Sequence, residues 1–277
     1  MAKLNVKSQL GRTPIGALFV GVLALLLLGG CGVQPDPARP DSEAKAAESL
    51  GQDPNPALFP SQSHPYGSSM TTWAENWWRW ILSIPSAQNP FLSVTSDCSA
   101  GQGGPVFYVP PFPLGSKNLT RSCTVEHGKA VAVALSSVLN DYPCPDPTFQ
   151  PAPGQSLFDF LLAGAVAGNG DIAEIDVTLD GEPLNDILAY HFASDDLMFF
   201  KGDLSLQSTV DSCITGGLQP AAVDSYIILF KPLAPGHHTI TRRIVTNKGN
   251  VSGPNTTEIE VVGLGDRERK ALGERER

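Results

Sequence analysis

Apolar and polar positions alternate with period two through most of the chain between residues 68 and 264. Alternation of this kind marks strands with one buried face. "LTRSCTV" puts Leu119, Cys123 and Val125 on one side and Thr120, Ser122 and Thr124 on the other. Arg121 falls on the apolar side, where a guanidinium needs a partner. "AVAVAL", Ala130 to Leu135, alternates small with large apolar residues, as a strand buried on both faces does. "EIDVTLDG" turns Ile175, Val177 and Leu179 inward, and Asp180-Gly181 is a hairpin signal. "YIILFKPLAPGHHTITRRI" reads as two strands joined around Ala234 to Gly236, and "TEIEVV" closes the pattern with Ile259 and Val261 facing in. Short strands between Gly/Pro turns predict a mainly β fold, a β-sandwich of jelly-roll or Ig-like type.

Helical spacing interrupts this twice: the pattern predicts an N-terminal Trp-rich helix and one inserted helix. "TWAENWWRWILSIP", Thr72 to Pro85, holds all 4 tryptophans. On a helix, Trp73, Trp77, Trp80, Ile81 and Ile84 share an arc of about 100°. Glu75, Asn76, Arg79 and Ser83 form the polar side, and Trp78 and Leu82 lie off the main arc. Thr72 and Glu75 read as a capping box and Pro85 as the stop. This is the pattern of a helix lying on a core. A sugar-stacking platform needs exposed rings, and an interfacial membrane helix needs a basic polar face; here Arg79 is opposed by Glu75. Trp78 is the residue expected to be partly exposed and is the candidate binding surface. The second segment is "LFDFLLAGAVA", Leu157 to Ala167, capped by Ser156 and Asp159 and stopped by Gly168. It is almost wholly apolar, so it is expected to be buried or packed on a sheet face, with Gly164 and its alanines allowing close approach.

The ends set the compartment. Lys3, Lys7 and Arg12 precede an uncharged run from Ile15 to Leu28, shorter than the roughly 20 residues a membrane-spanning helix needs and suited to a signal peptide. It ends in "LGGC", which resembles the lipobox of bacterial lipoproteins. That resemblance implies cleavage before Cys31, acylation of its thiol, and anchoring of the chain on a bilayer by lipid. Residues 1–30 are then the signal peptide, 31–67 a disordered tether rich in Pro and acidic residues, 68–264 the folded domain and 265–277 a charged tail. The net charge of −9 falls to −12 once three basic residues leave with the signal. An acidic chain excludes nucleic acid as a partner class and gives anionic headgroups no polybasic clamp. Gly32 after the cysteine, in place of the aspartate that retains some lipoproteins in the inner membrane, favours the outer membrane.

Four cysteines remain: Cys98, Cys123, Cys144 and Cys213. An even number in an exported chain predicts two disulfides. Of the three pairings, Cys98–Cys123 with Cys144–Cys213 is favoured, because the first two lie close together on either side of one candidate strand. No CxxC pair or HxxxH spacing suggests a metal site, and no cofactor motif is present.

"WAENWWRWILSIPSAQNPFL", "DCSAGQGGPVFYV" and "TRSCTVEHGKAV" occur in this order, and "YIILFKPLAPGHHTI" follows near the end. Together they resemble a family of uncharacterised exported bacterial proteins, over about residues 66–135 and 222–262. The resemblance implies a mainly β domain and a Cys98–Cys123 bridge, and no activity.

No GxSxG, HExxH or Walker-type loop is present. The histidines are His64, His127, His191, His237 and His238, and Asp195-Asp196 reads as a solvated loop. Tyr190-His191 followed by "FFKGDLSLQ" shares a little with the proton-transfer strands of jelly-roll polysaccharide lyases. Its tyrosine position is Phe, and the companion Arg-rich strand is missing. The asparagine sequons at Asn118, Asn250 and Asn255 read as chance. The expectation is a non-catalytic binding or structural lipoprotein of the cell envelope, meeting an envelope protein or glycan. An extracytoplasmic carbohydrate-active enzyme, glycoside hydrolase or polysaccharide lyase, is the alternative. A real active site would set Tyr190, His191 or Asp195 in a concavity beside another titratable group.

Overall fold

The computed structural model describes residues 54–113 and 115–263. The signal segment, Cys31, the tether to residue 53 and the tail lie outside the described residues. Within them are ten strands: β1 (Val106–Val109), β2 (Thr120–Glu126), β3 (Ala130–Asp141), β4 (Ile172–Leu179), β5 (Glu182–Pro183), β6 (His191–Ala193), β7 (Met198–Lys201), β8 (Leu218–Phe230), β9 (Gly236–Thr246) and β10 (Val251–Val262). The two α-helices are α1 (Met70–Ser83) and α2 (Leu157–Asn169).

The strands form two five-stranded sheets. One runs β1-β3-β8-β6, with β7 also paired to β8; the other runs β2-β10-β9-β4-β5. Both are mainly antiparallel, with parallel pairs β1–β3 and β2–β10 at their edges. One apolar core joins residues of both sheets with the tryptophans of α1. This is the β-sandwich the alternation predicts. Arg121, Cys123 and Val125 of β2, Ile175 and Val177 of β4, and Ile259 and Val261 of β10 are buried as the pattern requires. The hairpin at Asp180-Gly181 also forms, with both residues at positive φ (53° and 87°), the conformation a two-residue turn of this kind demands.

The helices lie on opposite faces of the C-terminal half of β3. Ser137 accepts a hydrogen bond from Trp78 of α1, while Ser136 donates to Asn169 and Asn140 to the Leu161 carbonyl of α2. Alternation along one strand thus serves two helices. In α2, Leu161, Ala165 and Asn169 are buried against β3 and β8, and its outer apolar residues, such as Val166, stay exposed. That narrow contact needs its small residues: a Cβ on Gly164 would overlap the Asn140 amide, and one on Gly168 would crowd Val138.

Three local expectations change. Ser69, not Thr72, caps α1 by accepting from the Thr72 amide at 3.1 Å, which frees Glu75 to meet Arg79 and Ser194. Helix α2 runs through Gly168 and stops at Gly170. The described residues begin at Pro54, and the last part of the stretch read as tether packs on the sheet. Leu58 is fully buried and bridges to Phe230, with Phe59 and Lys231 donating to the Leu229 and Ala57 carbonyls on either side. The short "ALF" run inside a Pro-rich stretch gains enough apolar contact to hold that segment on the sheet.

Candidate functional site

All four indoles are 2–7% exposed. Each N–H is satisfied internally: Trp73 by the Pro65 carbonyl (3.0 Å), Trp77 by Val109 (3.0 Å), Trp78 by Ser137 Oγ (2.7 Å) and Trp80 by Ala100 (2.9 Å). Ring faces are occupied too, since Trp80 stacks on Tyr108 with centroids 5.5 Å apart and Trp77 meets Trp78 edge-on at 5.2 Å. Helix α1 is therefore no stacking platform for sugars. Trp78, expected to be exposed, is 7% exposed. The reason lies in the chain from Ser194 to Ile214, whose folding sequence patterns left unread. It closes over the helix: Asp203 donates to the Leu82 carbonyl, Arg79 reaches the Phe199 carbonyl, and Val210 and Ile214 line a small apolar groove against Trp78 and Leu82.

Residues of the sequence motifs quoted above gather around the end of this helix. Asn89 donates to the Ile81 and Ile84 carbonyls and caps α1. Gln102 binds both the N–H and the C=O of Tyr108, pairing with the outer edge of β1 as a strand would. Gly101, at φ +64, sits against Ile84 and Trp80. Cys98 is bonded to Cys123 and Cys144 to Cys213, the favoured pairing. Asp141 lies beside the second bridge, but two sulfurs bonded to each other offer no thiolate to a metal. These residues build the fold.

A titratable cluster that reaches the surface lies elsewhere. Strand β6 pairs with β8 so that His191 lies opposite Tyr226, and the two rings stack 4.2 Å apart at 8°. His191 Nε2 stands 2.8 and 2.9 Å from the two carboxylate oxygens of Asp224. Asp224 is 1% exposed. It also accepts from Asn169 Nδ2 at 2.7 Å, and Asn169 accepts from Ser136 Oγ at 2.6 Å. Burial first, and then the Asp224 charge, push the Tyr226 hydroxyl above its ordinary pKa. The carboxylate engages Nε2 of the exposed ring, not Nδ1. Among the described residues no hydroxyl or thiol is hydrogen-bonded to His191, so the pair lacks an activated nucleophile.

The other candidates do not join it. Tyr190 is buried; Asp195 and Asp196 are exposed in a loop. His64, His127 and His237 are exposed, and His238 of β9 pairs with Asp180 in the β4–β5 turn. Sequence reading missed Asp224 and Asn169. The signal was there: an acid inside the apolar run "AAVDSYIILF" must have a buried partner.

No family model matches the chain, and no curated protein matches it. Two solved structures are similar in part. A mutant of the SrpA adhesin from Streptococcus sanguinis is 16% identical, with a TM-score of 0.19, over 52% of this chain and 56% of that one. PbICP-C, in its complex with falcipain-2, is 11% identical, with a TM-score of 0.21, over 58% of this chain and 100% of that one. Likenesses this low say nothing about activity.

Proposed function

We propose that the chain is a non-catalytic binding or structural module of the bacterial cell envelope, tethered to a membrane by lipid on Cys31 and facing an envelope protein or glycan. Its two disulfides belong to an oxidising, extracytoplasmic compartment. The observation that carries the non-catalytic reading is the His191–Asp224 pair, a surface-reaching titratable cluster in which, among the described residues, no hydroxyl or thiol is hydrogen-bonded to the histidine. Neither groove against Trp78 includes His191. The tether and anchor follow from the lipobox resemblance and the Pro-rich segment after it, and Gly32 supports the outer membrane as destination.

Two experiments test this. In cells fed labelled palmitate, the wild-type chain incorporates label and a Cys31→Ser variant does not; label in the variant refutes the anchor. A glycan array and an envelope pull-down with the mature chain yield a ligand or partner whose binding survives His191→Ala. A second reading, an extracytoplasmic carbohydrate-active enzyme, draws on the exposed ring of His191. Turnover of any array glycan that is abolished by both His191→Ala and Asp224→Asn would replace the binding reading.

A further inference from the structure

Among the described residues, the three most exposed large apolar side chains stand at one corner. Leu218 is 74% exposed, Leu204 60% and Phe199 48%. Strands β7 and β8 bring them together. Phe199 lies opposite Pro220 and Lys201 opposite Leu218, and opposite residues of an antiparallel pair project from the same face. Leu204 joins them over Gly216, so closely that a Cβ there would overlap its side chain. The loop beneath is firmly held. Its Leu206 and Ile214 are fully buried, Gln207 donates to the Ile214 carbonyl, and Cys213 is bonded to Cys144.

The charges at this corner are basic at the rim and acidic only where they are already engaged. Lys201 is exposed beside Leu218, and Arg79 donates to the Phe199 carbonyl. Asp203 and Asp211 turn back to accept from the Ser205 and Cys213 amides of their own loop. Asp195 and Asp196 precede the other end of β7. Apolar side chains rimmed by a lysine suit a bilayer surface: the leucines and the phenyl ring enter the boundary between headgroups and acyl chains, and the ammonium stays among the phosphates. A second copy fits less well. A two-fold contact would bring like charges together, the Lys201 of each copy and two acidic bodies. An added strand would need the Phe199 carbonyl, which Arg79 already holds.

We propose that this corner is a second, shallow membrane contact, dipping into the bilayer on which lipid at Cys31 holds the chain. It rests on the anchor reading given above. Chain length permits it. Leu58 bridges to Phe230, at the far end of β8 from Leu218, which places the corner about 40 Å from where the tether meets the domain. The 22 residues from Gly32 to Asp53 span at most about 80 Å. The lipid supplies the affinity, and the corner sets the orientation of the domain on the membrane.

The test takes the acyl chain out of the question. The mature chain, with a hexahistidine tag in place of Cys31, is carried on phosphatidylcholine vesicles by a nickel-chelating lipid. Leu218→Trp adds a reporter to four native indoles that are 2–7% exposed and so shielded from a quencher. When the vesicle acyl chains are brominated, the emission added by Leu218→Trp is lost. The emission added by Leu188→Trp, 47% exposed near the tether end, is kept. Leu204→Asp in the Leu218→Trp chain restores the emission, because a carboxylate resists transfer out of water. All three positions are exposed, so the fold survives the substitutions. Equal emission of Leu218→Trp in brominated and plain vesicles overturns the proposal. So does an envelope protein captured by the wild type, lost in Leu218→Asp and unaccompanied by quenching, which gives the face to a protein partner. Palmitate labelling reads the anchor separately: quenching without lipid on Cys31 leaves the corner as a membrane contact and removes the anchor alone.

Discussion

Side chains that bond to backbone groups of distant segments do much of the joining in this molecule. Gln102 is the clearest case, because one amide answers both hydrogen-bonding groups of Tyr108 and the Cys98 carbonyl as well. Gln102→Ala strands an N–H and a C=O at a 7%-exposed residue. The expected cost is about 2–3 kcal/mol, read as a lower urea midpoint with unchanged slope. Gln102→Glu should rescue little, since a carboxylate can accept from Tyr108 but cannot donate to its carbonyl. Trp78 and Ser137 form a tighter pair at 2.7 Å. A double-mutant cycle of Trp78→Phe and Ser137→Ala should return a coupling of about 0.5–1.5 kcal/mol. A coupling near zero would mean that Trp78 is held by packing alone.

At the scale of elements, the β4 hairpin carries a pH-dependent clasp. Asp180 accepts from His238 Nδ1 at 2.8 Å and from the Thr239 amide at 2.7 Å. Burial alone would raise the Asp180 pKa, but these bonds and the charges of His238 and His237 together lower it. Burial alone would lower that of His238, but the bonds to Asp180 and Ala234 and the nearby acids together raise it. A raised histidine stabilises the fold fully below its unfolded value, about 6.5, and loses that contribution as pH climbs through the folded value. A lowered aspartate contributes above its unfolded value, about 3.9, and loses it as pH falls through the folded one. Both operate together between about pH 4 and 6.5. Asp180 is 45% exposed in its side chain, so the clasp is worth less than about 1 kcal/mol. Asp180→Asn keeps the Thr239 acceptor and tolerates positive φ. It should therefore be destabilised relative to wild type at pH 5.5 and nearly equal to it at pH 8.5. Elements of this kind were legible in the sequence because β2, β4, β9 and the end of β10 each bury one face and alternate. Strands β1, β6 and β7 have four residues or fewer, too few for a period to register, and the parallel β1–β3 and β2–β10 pairings are non-local. The candidate site was half legible: His191 stood out as a type, whereas Asp224 and Asn169 become its neighbours only when β6 and α2 dock on β8.

Across the whole molecule, the two disulfides close separate loops, 98 to 123 and 144 to 213, with sequence separations of 25 and 69. Loop-closure entropy then assigns about 3.5 kcal/mol to the first and about 4.4 kcal/mol to the second. The loops do not overlap, so the two contributions should nearly add. Together they rival the whole stability of an ordinary domain, roughly 5–15 kcal/mol. Replacing Cys98 and Cys123 by serine should leave a folded chain with a lowered midpoint. Replacing Cys144 and Cys213 should lower it further, and replacing all four should unfold the chain at 37 °C. The order of the two pair variants is the informative part. Cys213 sits beside Gln219, which donates both to its carbonyl and to Asp141 on β3, so the larger loop is also pinned by native contacts that outlast the bridge. Cys98, by contrast, lies in the loop that Gln102 and Trp80 organise at the end of α1. If the Cys98–Cys123 variant proves the weaker of the two, native packing around the tryptophan helix outweighs loop entropy, and this bridge holds the helix on the sandwich rather than merely restricting the unfolded chain.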